Sequence, residues 1–138
     1  MYKLEPELGG DVKVQETLQE LLQRYVDEDT YSFHDTGLLE VNSIGRELET
    51  PLHLACRRNA LDDAKLLLAG GARVDAQTDI GTTPLICAVF RLNPKLVKVL
   101  LDAGADAHLK DAYGKSAIDF AEEMDTEGEI LGMLRSLK

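Results

Sequence analysis

Apolar residues in this chain fall into short blocks that return at a fixed step. Thr50-Pro51-Leu52-His53-Leu54-Ala55 recurs as Thr83-Pro84-Leu85-Ile86-Cys87-Ala88 and, more loosely, as Ser116-Ala117-Ile118-Asp119-Phe120-Ala121, about 33 residues apart each time. The residues downstream of each block keep the same step. Leu66-Leu67-Leu68 aligns with Val99-Leu100-Leu101, Gly71-Ala72-Arg73-Val74-Asp75 with Gly104-Ala105-Asp106-Ala107-His108, and Gly81 with Gly114. Helical spacing inside a repeat of this length predicts a stack of two-helix units, each burying its apolar side against the next.

The punctuation of each unit has a physical reason. Thr50, Thr83 and Ser116 can accept a bond from an unpaired backbone N–H at a helix start, and Pro51 and Pro84 stand at the first helical position, where no donor is needed. A second helix comes after a break at Asn59-Ala60-Leu61 or Asn93-Pro94. Its apolar stripe is Leu61, Leu66, Leu67 and Leu68 in one unit and Leu96, Val97, Leu100 and Leu101 in the next. Gly70-Gly71 and Gly104 offer the positive φ that stops a helix, and a turn then leads to the next cap.

These residues resemble the ankyrin-repeat family, with its Thr-Pro-Leu-His start, leucine-rich second helix and Gly-Ala-Asp-Val-Asn ending. The likeness is best from Thr50 to Asp75. It implies an all-α solenoid of helix–turn–helix units joined by short turns or β-hairpin-like loops, with units at about 46–78, 79–111 and 112–138. It also implies that His53 ties adjacent turns together by hydrogen bonds. The sequence departs from the family where Leu48 and Leu92 stand in place of turn glycines.

Both ends read as caps. Thr126 and Glu129 have capping-box spacing, ahead of Ile130, Met133, Leu134 and Leu137 on one stripe. Near the start, Val14, Leu18, Leu21, Leu22, Tyr25 and Val26 mark an amphipathic helix with Glu16 and Glu20 on its polar side. Asp29 to Thr36 reads as an irregular connection, and Val41-Asn42, one period before Val74-Asp75, as the remnant of a degenerate zeroth repeat. Residues 1–45 are thus expected to form a helical cap with that remnant, folded as one domain with 46–138.

Charge narrows the partners. The formal net charge is −10, with ten Asp and Glu against three Lys and Arg in residues 1–45 and fifteen against twelve in the rest. Such a field repels phosphate backbones and anionic lipid, so neither nucleic acid nor membrane is expected as partner. The N-terminus lacks a basic start followed by an apolar run, and no apolar stretch approaches a membrane span, so cytoplasmic residence is expected. Cys56 and Cys87, inside apolar stretches, read as buried thiols rather than a disulfide framework.

Catalytic and ligand motifs are missing. His34, His53 and His108 have no metal-ligand spacing to each other or to the cysteines. Gly70-Gly71 ends a helix where a phosphate cradle would open one. Glu122, Glu123, Asp125, Glu127 and Glu129 lack the alternation and turn glycine of a calcium loop. No enzyme activity, cofactor or metal is expected.

The family resemblance places a binding surface on the turn tips and the exposed side of each first helix. Carried onto this chain, those positions are Arg46, Glu47 and Glu49, then Asp79, Ile80 and Thr82, then Ala112, Tyr113 and Lys115, with Arg57, Arg58, Phe90, Arg91, Glu123 and Met124 from the helices. Ile80, Phe90 and Tyr113 beside arginines have the composition of an interface hot spot, although Phe90 can instead turn inward near Leu92. The expected function is binding of another protein by a chain that is monomeric when free. A sharper version of it is inhibition of a basic toxin, suggested by the acidic first third and a likeness to compact stand-alone bacterial members of the family; the alternative to partner binding is a structural subunit that self-associates.

Overall fold

In the computed structural model, which describes residues 15–28, 31–33 and 39–136, helix starts match the capping residues closely. Thr50, Thr83 and Ser116 each accept the backbone N–H three residues on, from His53, Ile86 and Asp119. In the first and third units the bond is returned as a capping box, by the His53 ring and the Asp119 carboxylate. The helices that result are α1 (Leu18–Glu28), α2 (Pro51–Arg57), α3 (Leu61–Ala69), α4 (Pro84–Phe90), α5 (Pro94–Asp102), α6 (Ala117–Met124) and α7 (Glu129–Arg135), with one 3₁₀ turn at Arg46–Leu48. No strand occurs among the described residues.

Two layers of helices share one interior. The first helix of each unit packs on the first helix of the next, α2 on α4 and α4 on α6, and the second helices do the same from α3 through α5 to α7. Between the layers lie Leu52, Leu54, Leu67, Leu85, Ile86, Leu96, Leu100 and Ile130, all buried. Each such side chain contributes roughly 1.5–3 kcal/mol. Among the described residues the architecture is an all-α repeat solenoid. α3 and α5 end where Gly71 and Gly104 take φ of 98° and 96°, the left-handed turn that lets the chain reverse.

The segments between units project as short fingers that are hydrogen-bonded within and between themselves. Within a finger, Gly45 N–H donates to the Glu49 carbonyl at 2.8 Å, Thr78 to Thr82 at 3.0 Å and Asp111 to Lys115 at 2.8 Å. Between fingers, Asp79 N–H donates to the Glu47 carbonyl at 2.8 Å and Ala112 N–H to the Ile80 carbonyl at 2.9 Å. At Gly81, with φ of 80°, an added Cβ would lie 2.8 Å from Asp111 Cα, so this contact needs glycine for space as well as for conformation. Where the family's glycines are replaced, the backbone keeps their shape: Leu48 and Leu92 hold φ of 60° and 51°.

The N-terminal end joins a remnant of the repeat to a helix that does not follow it. Residues 39–49 keep to the repeat: Asn42 Nδ2 donates to the Gly71 carbonyl at 3.1 Å, and its Oδ1 accepts Arg73 N–H at 2.9 Å, as Asp75 Oδ1 accepts Asp106 N–H at 3.0 Å one unit later. The helix does not. Leu18 lies against Gly70 at the end of α3, while Arg24 and Tyr25 reach Asp63 near its start. α1 therefore runs antiparallel to α3. It begins with a capping box that its apolar stripe does not announce, in which Thr17 N–H donates to Glu20 Oε2 and Glu20 N–H to Thr17 Oγ1. Val14, His34 and Leu137 lie outside the described residues.

The C-terminal cap also starts differently from the expected Thr126–Glu129 box. α7 begins after Gly128 at φ 81° with no side-chain cap on that residue, and Asp125 Oδ2 accepts Leu131 N–H at 2.8 Å. With Thr126 as cap, Gly128 would be the second helical residue and would need a negative φ; at φ 81° it turns the chain instead. Ile130 and Leu134 are buried and Met133 partly so, as the stripe predicts.

Candidate protein-binding face

Finger tips and the ends of each unit's first, or inner, helix (α2, α4 and α6) place their side chains at repeating positions. Glu47, Ile80 and Tyr113 occupy one position; Glu49, Thr82 and Lys115 the next but one; Arg57, Phe90 and Glu123 the last turn of each inner helix. Leu48 (51% exposed), Ile80 (46%) and Tyr113 (76%) succeed one another along the tips. Tyr31 adds to this row, its hydroxyl donating to Glu47 Oε1 at 2.7 Å and its ring 5.7 Å from the Arg46 guanidinium. Bonding to Glu47 raises the Tyr31 pKa above the ordinary phenol value.

On the inner helices the pattern is two ion pairs of opposite sense around an aromatic centre. Glu49 receives Arg57 in a two-point bond, Nε at 3.1 Å and the terminal nitrogen at 2.5 Å. In the third unit the same positions are exchanged, with Lys115 Nζ 2.7 Å from Glu123. Between them Thr82 and Phe90 carry no charge. Phe90 is 46% exposed rather than turned inward, and its ring rests against Phe120 with centroids 4.8 Å apart and planes at 52°. Lys115 Nζ sits 5.4 Å from the centre of the Phe120 ring.

The remaining expected residues divide between the tips, the inner helices and the N-terminal cap. Arg46, Glu47, Asp79 and Ala112 are exposed at the tips, the last three also bonding through their backbones in the interfinger ladder. Thr82 gives its carbonyl to His53, whose Nε2 lies 2.8 Å away. Because Thr50 N–H donates to His53 Nδ1 at 3.2 Å, Nε2 carries the proton and donates, so the ring joins first and second units as the resemblance implied. Burial holds the His53 pKa below its ordinary value. Arg91 is exposed beside Phe90, and Met124 is half-buried. Arg58 belongs to a different neighbourhood: it bonds Glu28 at 3.3 Å and lies 5.2 Å over the Tyr25 ring, against α1.

Two free thiols lie behind this face. Burial pushes Cys87 up to about 12 and Cys56 well above the usual thiol range, so neither is a thiolate near neutral pH. Among the described residues no cluster of three or more His, Cys, Asp or Glu could hold a metal ion. No described helix is long and apolar enough to cross a membrane.

Comparison with known proteins agrees with the repeat geometry. The family model for ankyrin repeats, in three copies, matches residues 12–125, and the chain belongs to the ankyrin-repeat family. It is 40% identical over 75 residues to ankyrin repeat and SOCS box protein 11 of Homo sapiens, covering 54% of this chain and 23% of that protein. It is 32% identical over 73 residues to the ankyrin repeat protein OPG189 of Vaccinia virus (strain Copenhagen), covering 53% and 13%. With the neurogenic locus notch homolog protein 1 of Xenopus tropicalis it shares 30% identity over 122 residues, covering 88% of this chain and 5% of that protein. The chain thus spans less than a quarter of these relatives' lengths. Ankyrin repeats are in general protein–protein interaction modules and typically non-catalytic.

Proposed function

We propose that this chain is a non-catalytic binding module that grips a partner protein across its finger tips and inner-helix ends, with residues 1–138 folded as one domain. The observation that carries the reading is the alignment of exposed apolar side chains, Leu48, Ile80, Tyr113 and Phe90, on one hydrogen-bonded side of the stack. Large apolar residues held in water by a rigid backbone favour association. Around them the charged residues of the tips and helix ends, Arg46, Glu47, Asp79, Arg91, Lys115 and Glu123 among them, form the polar rim. Arg58, held against α1, stands at its margin. The free chain is monomeric and cytoplasmic in this reading.

Replacing Phe90 and Tyr113 together by Ala weakens partner binding by at least about 2 kcal/mol while leaving helix content unchanged. The partner is obtained by capture at low salt, the affinity measured by calorimetry and the helix content by circular dichroism. An unaltered affinity moves the site elsewhere. A narrower version, inhibition of a basic protein, draws on the net charge of −10 and requires the partner's activity to fall on stoichiometric binding. Self-association is the competing reading, and sedimentation at rising concentration separates it by revealing a dimer.

A further inference from the structure

Three cations at the inner-helix ends and finger bases are held: Arg57 by Glu49, Arg58 by Glu28 and Lys115 by Glu123. Arg91 is not. It comes directly after Phe90 at the end of α4, occupies the position that Arg58 has in the first unit, is exposed, and has no carboxylate within ion-pair distance among the described residues. Lys65, Arg73, Lys95 and Lys110 also lack an ion pair among the described residues, but Arg91 is the one that adjoins Phe90 in the chain, beside a half-exposed aromatic pair. On the far side of that pair Lys115 and Glu123 neutralise each other.

We infer that the partner presents an acidic side chain next to an apolar one, the apolar group seated on Phe90 and Phe120 and the carboxylate on Arg91. This rests on the binding face proposed above and adds the chemistry of what occupies its centre. Charge complementarity selects the acid: a guanidinium offers a carboxylate two parallel N–H bonds, and burying the rings beside it removes water that would compete. A basic side chain at this point would face Arg91 with like charge and find Lys115 over the neighbouring ring. The chain's overall negative field does not oppose a contact made at bonding distance, because charges more than about 10 Å away are screened at 0.1 M salt.

The test is selection of a displayed random-peptide library on the full chain, followed by titration of the selected peptides against variants. Enriched peptides should carry Asp or Glu beside Leu, Ile, Met or Phe. Arg91→Glu should weaken them about tenfold, Arg91→Lys should retain part of the affinity, and a fresh selection on Arg91→Glu should exchange the acid for Lys or Arg. Arg91 is exposed and holds no ion pair among the described residues, so circular dichroism should show all three chains folded alike. Peptides that fail on Phe90→Ala yet ignore Arg91→Glu overturn this inference and leave the binding face standing. Peptides indifferent to Phe90, Tyr113 and Arg91 overturn both. Absence of enrichment, or a dimer in sedimentation that Phe90→Ala dissolves, also overturns the acidic occupant.

Discussion

At the C-terminal end of the stack the repeat stops by changing side chains; at the N-terminal end it stops by changing direction. His53 and Cys56 in the first unit, and Ile86 and Val89 in the second, are buried, and the His53 ring bonds the next unit at the Thr82 carbonyl. In the third unit those positions are Asp119 and Glu122. Asp119 accepts Ser116 N–H at 2.8 Å, and Glu122 takes an ion pair from Arg135 of α7. An apolar contact surface has become one that can face water with no alteration of the backbone. At the other end α1 lies reversed across α3, pinned by the buried Tyr25, whose hydroxyl donates to Asp63 at 2.8 Å, and by Arg24, which joins Asp63 and Glu16 at 3.0 and 2.7 Å. Burial and the bond to Asp63 raise the Tyr25 pKa, so the phenol remains protonated as a donor. One terminus needs only local chemistry, and the other needs tertiary packing.

The contrast is broken most severely by removing the anchor. Tyr25→Ala should cost about 3–5 kcal/mol in urea unfolding, with the N-terminal helix lost first in hydrogen exchange. Tyr25→Phe, which keeps the ring, should cost about 1–2 kcal/mol. A result for Tyr25→Ala below about 1 kcal/mol would show that the reversed helix is dispensable.

Acid should separate the two ends next. The same capping-box position holds His53 at one end and Asp119 at the other. The folded-state pKa of His53 is lowered by burial, so the unfolded chain binds its proton more readily. Stability is complete above the unfolded value near 6.5 and declines as the pH falls below it. The slope for one proton is at most about 1.4 kcal/mol per pH unit. Asp119 is lowered by its bond from the Ser116 backbone, so its contribution persists above the ordinary carboxylate value of 3.8 and fades only below that. Between about pH 6.5 and 4.5 hydrogen exchange should therefore rise around α2 and the 78–82 finger and stay level around α6. His53→Gln should flatten the first change and leave the second.

Leu92 sharpens the comparison within the stack. Its counterpart in the first unit is Asn59, at φ 59°, a residue suited to the left-handed region, whereas Leu92 holds φ 51° with 48% of its surface exposed. Leu92→Gly should raise stability by about 0.5–1 kcal/mol in thermal unfolding, while Asn59→Gly should change it by less. The smallest stability effect belongs to the polar cap. Glu122→Val with Arg135→Leu should stay within about 0.5 kcal/mol of the parent, yet sedimentation should now report association that grows with concentration, since the end has regained an apolar surface.

The parts of this fold that could be read from residue order are those fixed within one unit. Thr50, Thr83, Ser116, Pro51, Pro84 and the glycines at 71 and 104 act over three or four residues, and their helices appear where they predict. The sense of α1 was not legible, because nothing in Leu18 or Tyr25 records whether Gly70 and Asp63 lie ahead or behind. Thr126 had capping-box spacing with Glu129 but lost to Asp125, one residue earlier, once Gly128 set the turn. On the candidate face the exposed tips could be read from the period, but the pairings Glu49–Arg57 and Lys115–Glu123 could not. Each joins a finger base to a helix end eight residues on, beyond the three or four residues over which side chains on one helix meet.

The ladder that joins Glu47 to Asp79 and Ile80 to Ala112 is made of main-chain atoms alone. The frame that spaces the tips therefore exerts no demand on the identity of Ile80 or Tyr113, and these positions are at liberty to drift. A lineage carrying this architecture can exchange one correspondent for another by altering a handful of outward letters, without ever revisiting the problem of how to fold.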